Sequence, residues 1–333
     1  MTTVTRGTED PRTMDLDAII SAARDFGERH GITQAAEQYA SHFWNGTRDL
    51  PTLHFDDVSG IPFLHEIKGV EEYQHRARIR ANDGDLFATV TPPAEGFEEY
   101  CKNQLGLGSP EHLFAPPPSG KVAVADGCMT GAAFDRIVEY ARNSGGLLIE
   151  PYMGIESVWQ LASSVSEAAG VPVEVVAPFP EVMWAANDKV LLTELVALTA
   201  GSENIVELNA TCQIEEMVDH LQRLSKQFQR VAIKRPRCAS AMGNALFTSA
   251  EIQSLSREEV IAKVTETLEE MEWPEGEKVL ACAWEEADHS PSTQWWIPPK
   301  GMGAPRIDGI YEQLLHGDEC IFLGSRPSTL PDV

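Results

Sequence analysis

Four groups of residues in this chain have the types and spacing to handle an anionic substrate. The first is Val231-Ala232-Ile233-Lys234, followed by Ser240-Ala241-Met242-Gly243-Asn244. An apolar strand ending in lysine presents a cation at the edge of a sheet. The small residues after it let backbone N–H groups approach a phosphate, because no bulky side chain stands in the way. A surface lysine followed by a plain hairpin has the same pattern. The second group, Asn187-Asp188-Lys189, directly precedes an apolar helical run. Asn or Asp there caps the helix, and Lys189 offers a second cation to the same phosphates.

The third group, Trp284-Glu285-Glu286-Ala287-Asp288-His289, follows a buried-strand pattern. An extended segment there can offer backbone groups to an adenine edge and a carboxylate to ribose hydroxyls; a solvated acidic loop also fits. His289 has no partner nearby in sequence and reads as a turn residue rather than a general base. The fourth group comprises Ser290–Gln294, Tyr311–Gln313 and Gly324–Pro327. In it Gln294, Glu312, Gln313 and Arg326 interrupt strand patterns with polar side chains. Polar groups on a buried sheet need partners, which a substrate can supply; ordinary edge strands explain them too. There is no GxSxG elbow and no convincing Cys–His pair, so a protein nucleophile is not expected.

The elements that must position these groups are legible in part. Helical spacing appears at Ile19, Ile20, Ala23 and Phe26 before Gly31, and again at Ala36, Tyr39, Phe43 and Trp44. Residues 50–95 are mixed. The run Ala115-Pro116-Pro117-Pro118-Ser119-Gly120 reads as a stiff linker. Beyond it, strands at 121–125, 147–149 and 171–176 alternate with helices at 131–143 and 155–169, which predicts a parallel α/β sheet. Residues 126–131 are not GxGxxG, so a nicotinamide-dependent oxidoreductase lacks its fingerprint. Helices are expected at 190–200 and 213–228, and a third opens with a Ser256/Glu259 capping box. Strands are expected at 230–234, 245–248 and 278–284, followed by antiparallel hairpins at 293–297, 305–315 and 320–324.

Length and charge bound the rest. At roughly 100–200 residues per domain, 333 residues suggest two domains, or three small ones. Asp plus Glu number 51 against 26 Lys plus Arg, a net charge of −25. Such a surface repels phosphate backbones and anionic lipid, which argues against nucleic-acid and membrane partners. Cys101, Cys128, Cys212, Cys238, Cys282 and Cys320 are far apart, with no metal-ligand spacing, and read as reduced thiols in a cytoplasm. The N-terminus, expected to be frayed, has no apolar core of signal-peptide type.

Taken in order, the motifs resemble the ATP-grasp superfamily, and within it the carboxylate–amine (peptide) ligases of the pheganomycin peptide-ligase type. The likeness rests on NDK at 187–189, VAIK at 231–234, ASAMGN at 239–244, SPSTQ at 290–294 and YEQLL…FLGSRP at 311–327, and spans about residues 110–333. It implies a pre-ATP-grasp parallel α/β domain followed by a truncated ATP-grasp α+β domain. The implied divisions are a mixed helical region at 1–115, the pre-ATP-grasp domain at 116–188, a lid at 189–278 and the start of the large subdomain at 279–333. By the same resemblance Lys189 and Lys234 contact ATP phosphates. Ser240, Met242, Gly243 and Asn244 belong to the flap over them, and Glu285 and Glu286 lie at the adenine–ribose edge.

The activity implied is ATP-dependent amide or peptide bond formation through an acyl phosphate, with ATP and Mg²⁺ as cofactors. The partners implied are a small-molecule carboxylate and an amine, amino acids or peptides among them; a homo-oligomer stays open. Two features depart from the family. Ala241 stands where the flap usually has glycine, and no ending that reads like Glu-Ile-Asn, which supplies the family's metal ligands, occurs before Val333. No metal ligand or catalytic residue is therefore assigned. The alternative reading is a non-catalytic nucleotide-binding or interaction protein on a truncated ATP-grasp scaffold.

Overall fold

The computed structural model describes residues 15–47, 49–62, 64–115, 120–238, 242–285, 287–317 and 321–328. All of the start expected to be frayed (1–13), the linker residues 116–119, the flap residues Ala239, Ser240 and Ala241, Glu286 and Cys320 lie outside the described residues. Two compact units divide the chain. One holds residues 31–183 and 298–304; the other holds the described residues of 1–30, 184–297 and 305–333.

The first unit is α/β. Its strands are β1 (Thr52–Phe55), β2 (Leu86–Thr89), β3 (Glu111–Phe114), β4 (Leu147–Pro151) and β5 (Val173–Val175). They form one parallel sheet in the order β3-β2-β1-β4-β5. All of β2 and β5, and four of five residues in β4, are buried. A parallel sheet is covered on both faces, so such strands read as apolar runs without alternation. The helices Gly131–Ser144 and Glu156–Ala169 contribute Ile137, Leu161 and Trp159, each at most 2% exposed. Gly170 ends the second of these helices at φ 70°, a left-handed position that disfavours a Cβ.

The parallel sheet was expected, but its extent differs. Three of its five strands precede residue 116, so the expected division there runs through the middle of the sheet. Residues 121–125 are not a strand: Val124–Cys128 is a short helix. Its Ala123, Val124 and Ala125 are buried all the same, and the Asp57 carboxylate accepts the Ala125 N–H at 2.8 Å. A brief apolar run does not distinguish strand from buried helix by periodicity. Residues 126–131 consequently join two helices, not a strand and a helix.

The second unit carries two antiparallel sheets. The first contains β6 (Leu208–Thr211), β7 (Arg230–Lys234), β8 (Asn244–Thr248) and β9 (Val279–Trp284), in the order β6-β9-β7-β8. Helices Ile214–Leu224 and Arg257–Glu270 bury Met217, Val218, Leu221, Val260, Val264 and Leu268 against Val231 and Ile233 of β7 and Val279 and Ala281 of β9. The second sheet is β10 (Pro291–Trp296), β11 (Arg306–His316) and β12 (Ile321–Pro327), in that order. The hairpins expected there are present, whereas β6 was not foreseen.

The capping box is formed. Ser256 Oγ accepts the Glu259 N–H at 3.3 Å, and the Glu259 carboxylate accepts the Ser256 N–H at 2.8 Å. Ser256→Ala is expected to destabilise this unit by about 1 kcal/mol. Urea unfolding of the two proteins checks this; an unchanged midpoint contradicts it.

Candidate functional site

Strand alternation places the site. Side chains one residue apart point to opposite faces of a sheet. Val231, Ile233, Val279 and Ala281 face the helical core, so Ala232, Lys234, Leu280 and Cys282 face the other way. Lys234 pairs in register with Leu280, and Cys282 with both Ala232 and Leu208. On that second face, Lys234, Leu280, Cys282 and Leu208 join Lys189, Leu192, Thr193 and Val206 around a cavity of about 180 Å³. The two lysines singled out in the sequence therefore line one cavity. Its remaining walls are mostly apolar.

The two cations differ in their partners. Lys189 is the first residue of the helix Lys189–Ala200, which Asp188 caps by accepting the N–H groups of Val190 and Leu191. Its Nζ donates to the carbonyls of Arg235, Pro236 and Cys238 at 3.3, 3.3 and 2.9 Å. An ammonium has three N–H donors, and all three are engaged. Burial holds this amine below the ordinary lysine value of 10.5, and the nearby Lys234 charge acts in the same direction, against Cys238 and Asp188. Lys234 Nζ lies 4.6 Å from the Trp284 ring centroid. Among the described residues it has neither an ion pair nor a hydrogen bond. Burial pushes the Cys282 thiol up, so this wall is an inert neutral surface at physiological pH.

The segment between β7 and β8 is anchored at its base. Arg235 is buried, pairs with Glu277 at 2.8 Å and donates to the Met271 carbonyl at 2.9 Å. Its N–H donates to the Gly243 carbonyl at 2.8 Å. Gly243 has φ 66°, and a Cβ there would meet Cys238 Sγ at 2.6 Å, so glycine is required on two grounds. Arg237 pairs with Asp188 at 3.0 Å and lies 5.1 Å from the Trp184 ring centroid. Met242 is half-buried, and Asn244 pairs in register with Lys234. Asn244 Oδ1 is buried without a hydrogen-bond partner among the described residues.

Glu285 is exposed immediately past β9, three residues beyond Cys282. The residues expected to hold substrate lie on the other sheet. Gln294 and Arg326 are exposed, and Gln313 is half-buried. Glu312 is engaged locally: its carboxylate accepts the Ser290 N–H at 2.8 Å and lies 3.7 Å from His289 Nδ1. These four are not among the residues lining the cavity.

No protein-family profile matches the chain, and no curated protein does. Among solved structures, N5-carboxyaminoimidazole synthetase from Staphylococcus aureus, complexed with ADP, is similar at 11% identity and a TM-score of 0.45, over 85% of this chain and 59% of that one. The biotin carboxylase domain of 2-oxoglutarate carboxylase from Hydrogenobacter thermophilus gives 16% and 0.41, over 72% and 46%. D-alanyl-alanine synthetase A from Vibrio cholerae gives 14% and 0.36, over 51% and 46%. The chain thus spans about half the length of these structures.

Sequence reasoning missed Leu192, Thr193, Val206, Leu208, Leu280 and Cys282, which form the cavity walls. Alternation in Lys278–Trp284 is the signal that could have found two of them, given the register with β7. No cluster of three or more His, Cys, Asp or Glu side chains suited to a metal ion occurs among the described residues. None of Cys101, Cys128, Cys212, Cys238 and Cys282 is in a disulfide. No helix among the described residues is long and apolar enough to cross a membrane.

Proposed function

We propose that this chain binds ATP at the β7–β9 cavity and belongs with the ATP-grasp carboxylate–amine ligases, joining a small carboxylate to an amine through an acyl phosphate. The observation that carries the reading is the shared cavity of Lys189 and Lys234, apolar along its length and cationic at two points. Drug-sized ligands occupy roughly 300–1,000 Å³, so a cavity of about 180 Å³ suits part of a nucleotide, a planar base, with the phosphates outside it. Apolar walls suit such a base, and Lys234, without an anionic partner among the described residues, suits a phosphate. The buried Asn244 Oδ1 can accept a ligand N–H or O–H. The chain's share in the reaction is then positioning and neutralisation of phosphate charge. For Mg²⁺ the described residues offer no fitting carboxylate cluster, and no step is routed through the ion.

Lys189 favours a second reading. With its three donors engaged by carbonyls, it serves as a latch for residues 235–238, as in a nucleotide-binding protein without turnover. One pair of measurements separates the two. Calorimetric titration with ATP is expected to show binding, and an ADP-release assay with panels of amino-acid carboxylates and amines is expected to show turnover dependent on both. ATP binding without turnover supports the second reading, and absence of ATP binding overturns both.

A further inference from the structure

The α/β unit holds a second arrangement suited to an anion, at a place its topology singles out. The chain leaves β1 towards β2 on one side and returns from β3 to β4 on the other, so the loops after β1 and β4 part there. In open α/β sheets ligands enter the crevice outside the carboxyl ends of the strands at such a reversal. Asp56 and Asp57 follow β1, and Tyr152 follows β4; the Tyr152 N–H donates to the Phe55 carbonyl at 3.1 Å, which closes the base of the crevice.

Arg76, the last residue of the 3₁₀ helix Val70–Arg76, reaches this point. Its Nε donates to Asp56 Oδ2 at 3.0 Å and to the Tyr73 carbonyl at 3.1 Å. Its guanidinium carbon lies 4.5 Å from the Tyr73 ring centroid and 4.6 Å from that of Tyr152. Asp56 is 3% exposed, and its other oxygen is taken by Arg80, which also bonds Glu150 at 3.1 Å. Asp56 and Glu150 thus have Arg80 between them, and Nε alone anchors Arg76. The two terminal amino groups of Arg76 carry no hydrogen bond among the described residues, and its side chain is 43% exposed.

We infer that Arg76, held by Asp56 and the rings of Tyr73 and Tyr152, is a binding site for the carboxylate of a small organic acid. A guanidinium fixed through Nε presents its remaining N–H donors in a plane that a carboxylate matches with two parallel hydrogen bonds. Aromatic contacts limit hydration of its faces, so the free edge is the polar outlet. Inorganic phosphate can also pair two oxygens with the guanidinium, but its higher negative charge meets more repulsion from the Asp56 carboxylate beside Arg76.

The test uses the whole protein without nucleotide, so it succeeds or fails independently of the ATP reading. Sodium acetate and sodium phosphate are titrated at constant ionic strength while the guanidinium NMR signal of Arg76 is followed. Acetate is expected to shift that signal saturably in the millimolar range, more tightly than phosphate. Arg76→Lys is expected to weaken acetate binding, followed by calorimetry, about tenfold or more, because a point charge cannot make the paired contact. Tyr152→Ala, which leaves the Asp56 pair intact, is expected to weaken it several-fold. An unresponsive Arg76 signal, phosphate binding tighter than acetate, or acetate affinity unchanged from the parent in either variant overturns the assignment.

Discussion

Exchanging Arg78 for methionine is expected to lower the stability of the α/β unit by about 2–5 kcal/mol, the cost of the acceptors it leaves without donors and a large part of the roughly 5–15 kcal/mol of a whole domain. Arg78 has no exposed side-chain surface. Its guanidinium donates to both carboxylate oxygens of Glu98 at 2.7 and 3.0 Å, to the Gly108 carbonyl at 2.7 Å and to the Ala81 carbonyl at 3.3 Å. Methionine replaces much of the volume but none of the donors. A buried acceptor left without a partner costs about 1–3 kcal/mol, and two carbonyls lose theirs together with the guanidinium contact on the Phe87 ring of β2. Urea unfolding followed by Trp159 fluorescence in a protein with the other tryptophans replaced measures the loss. A change below about 1 kcal/mol contradicts the account, since that is the range of an exposed pair.

The same contact sets a pH dependence. Hydrogen bonds from Arg78 hold the Glu98 carboxyl below its ordinary value, against a smaller upward push from burial. The folded state therefore favours the charged form. The stabilisation is fully present above the unfolded value and is lost as pH falls from there through the depressed folded value. Glu98→Gln is expected to flatten that acid limb while costing less than the change at Arg78, because Glu98 keeps much of its surface in water. An acid limb as steep in Glu98→Gln as in the parent contradicts the assignment of the slope to this pair.

How much of this was legible depended on whether a local pattern decided the structure. The Ser256 capping box, the helix expected over 213–228 and the strands β7 and β9 follow from periodicity and capping chemistry, and each is observed, the helix as Ile214–Leu224. The strands β1 and β3 did not announce themselves. Each has four residues, and each carries charged or polar side chains inside a parallel sheet: His54 in β1, Glu111 and His112 in β3. Long-range partners make this tolerable. His54 lies between Asp85 and Glu150, Glu111 is bonded by Arg136, and His112 stacks on Phe87 with centroids 4.4 Å apart. No local window contains those partners. The cavity was half legible for a related reason. Its cations were visible as strand and helix termini, whereas its apolar walls become walls through the register of β6, β7 and β9. The switch from strand to helix at 124–128 has the same origin, in the Asp57 contact with Ala125 across the unit.

Replacing Lys234 by methionine is expected to weaken ATP binding about 10- to 100-fold, the range of a lost charge-assisted hydrogen bond, and to leave adenosine binding unchanged. Methionine keeps an unbranched aliphatic side chain on β7 and removes the ammonium that lies over Trp284, so the sheet is retained and the phosphate contact alone changes. Lys189→Met acts differently under the two readings. If its ammonium leaves the carbonyls of residues 235–238 for the phosphates, ATP affinity falls and adenosine affinity does not. If it stays as a latch, the variant loosens those residues and both ligands weaken together. Alkaline pH gives an independent readout of the first outcome. Burial keeps the Lys189 amine below the ordinary 10.5, so a contact needing its charge is lost before that pH is reached. Lys189→Arg, charged throughout, then moves the limb upward. Calorimetry of the three variants with ATP and adenosine decides between them. ATP affinity unchanged in Lys234→Met removes the cavity from the nucleotide site, since no other cation lining it lacks a partner among the described residues.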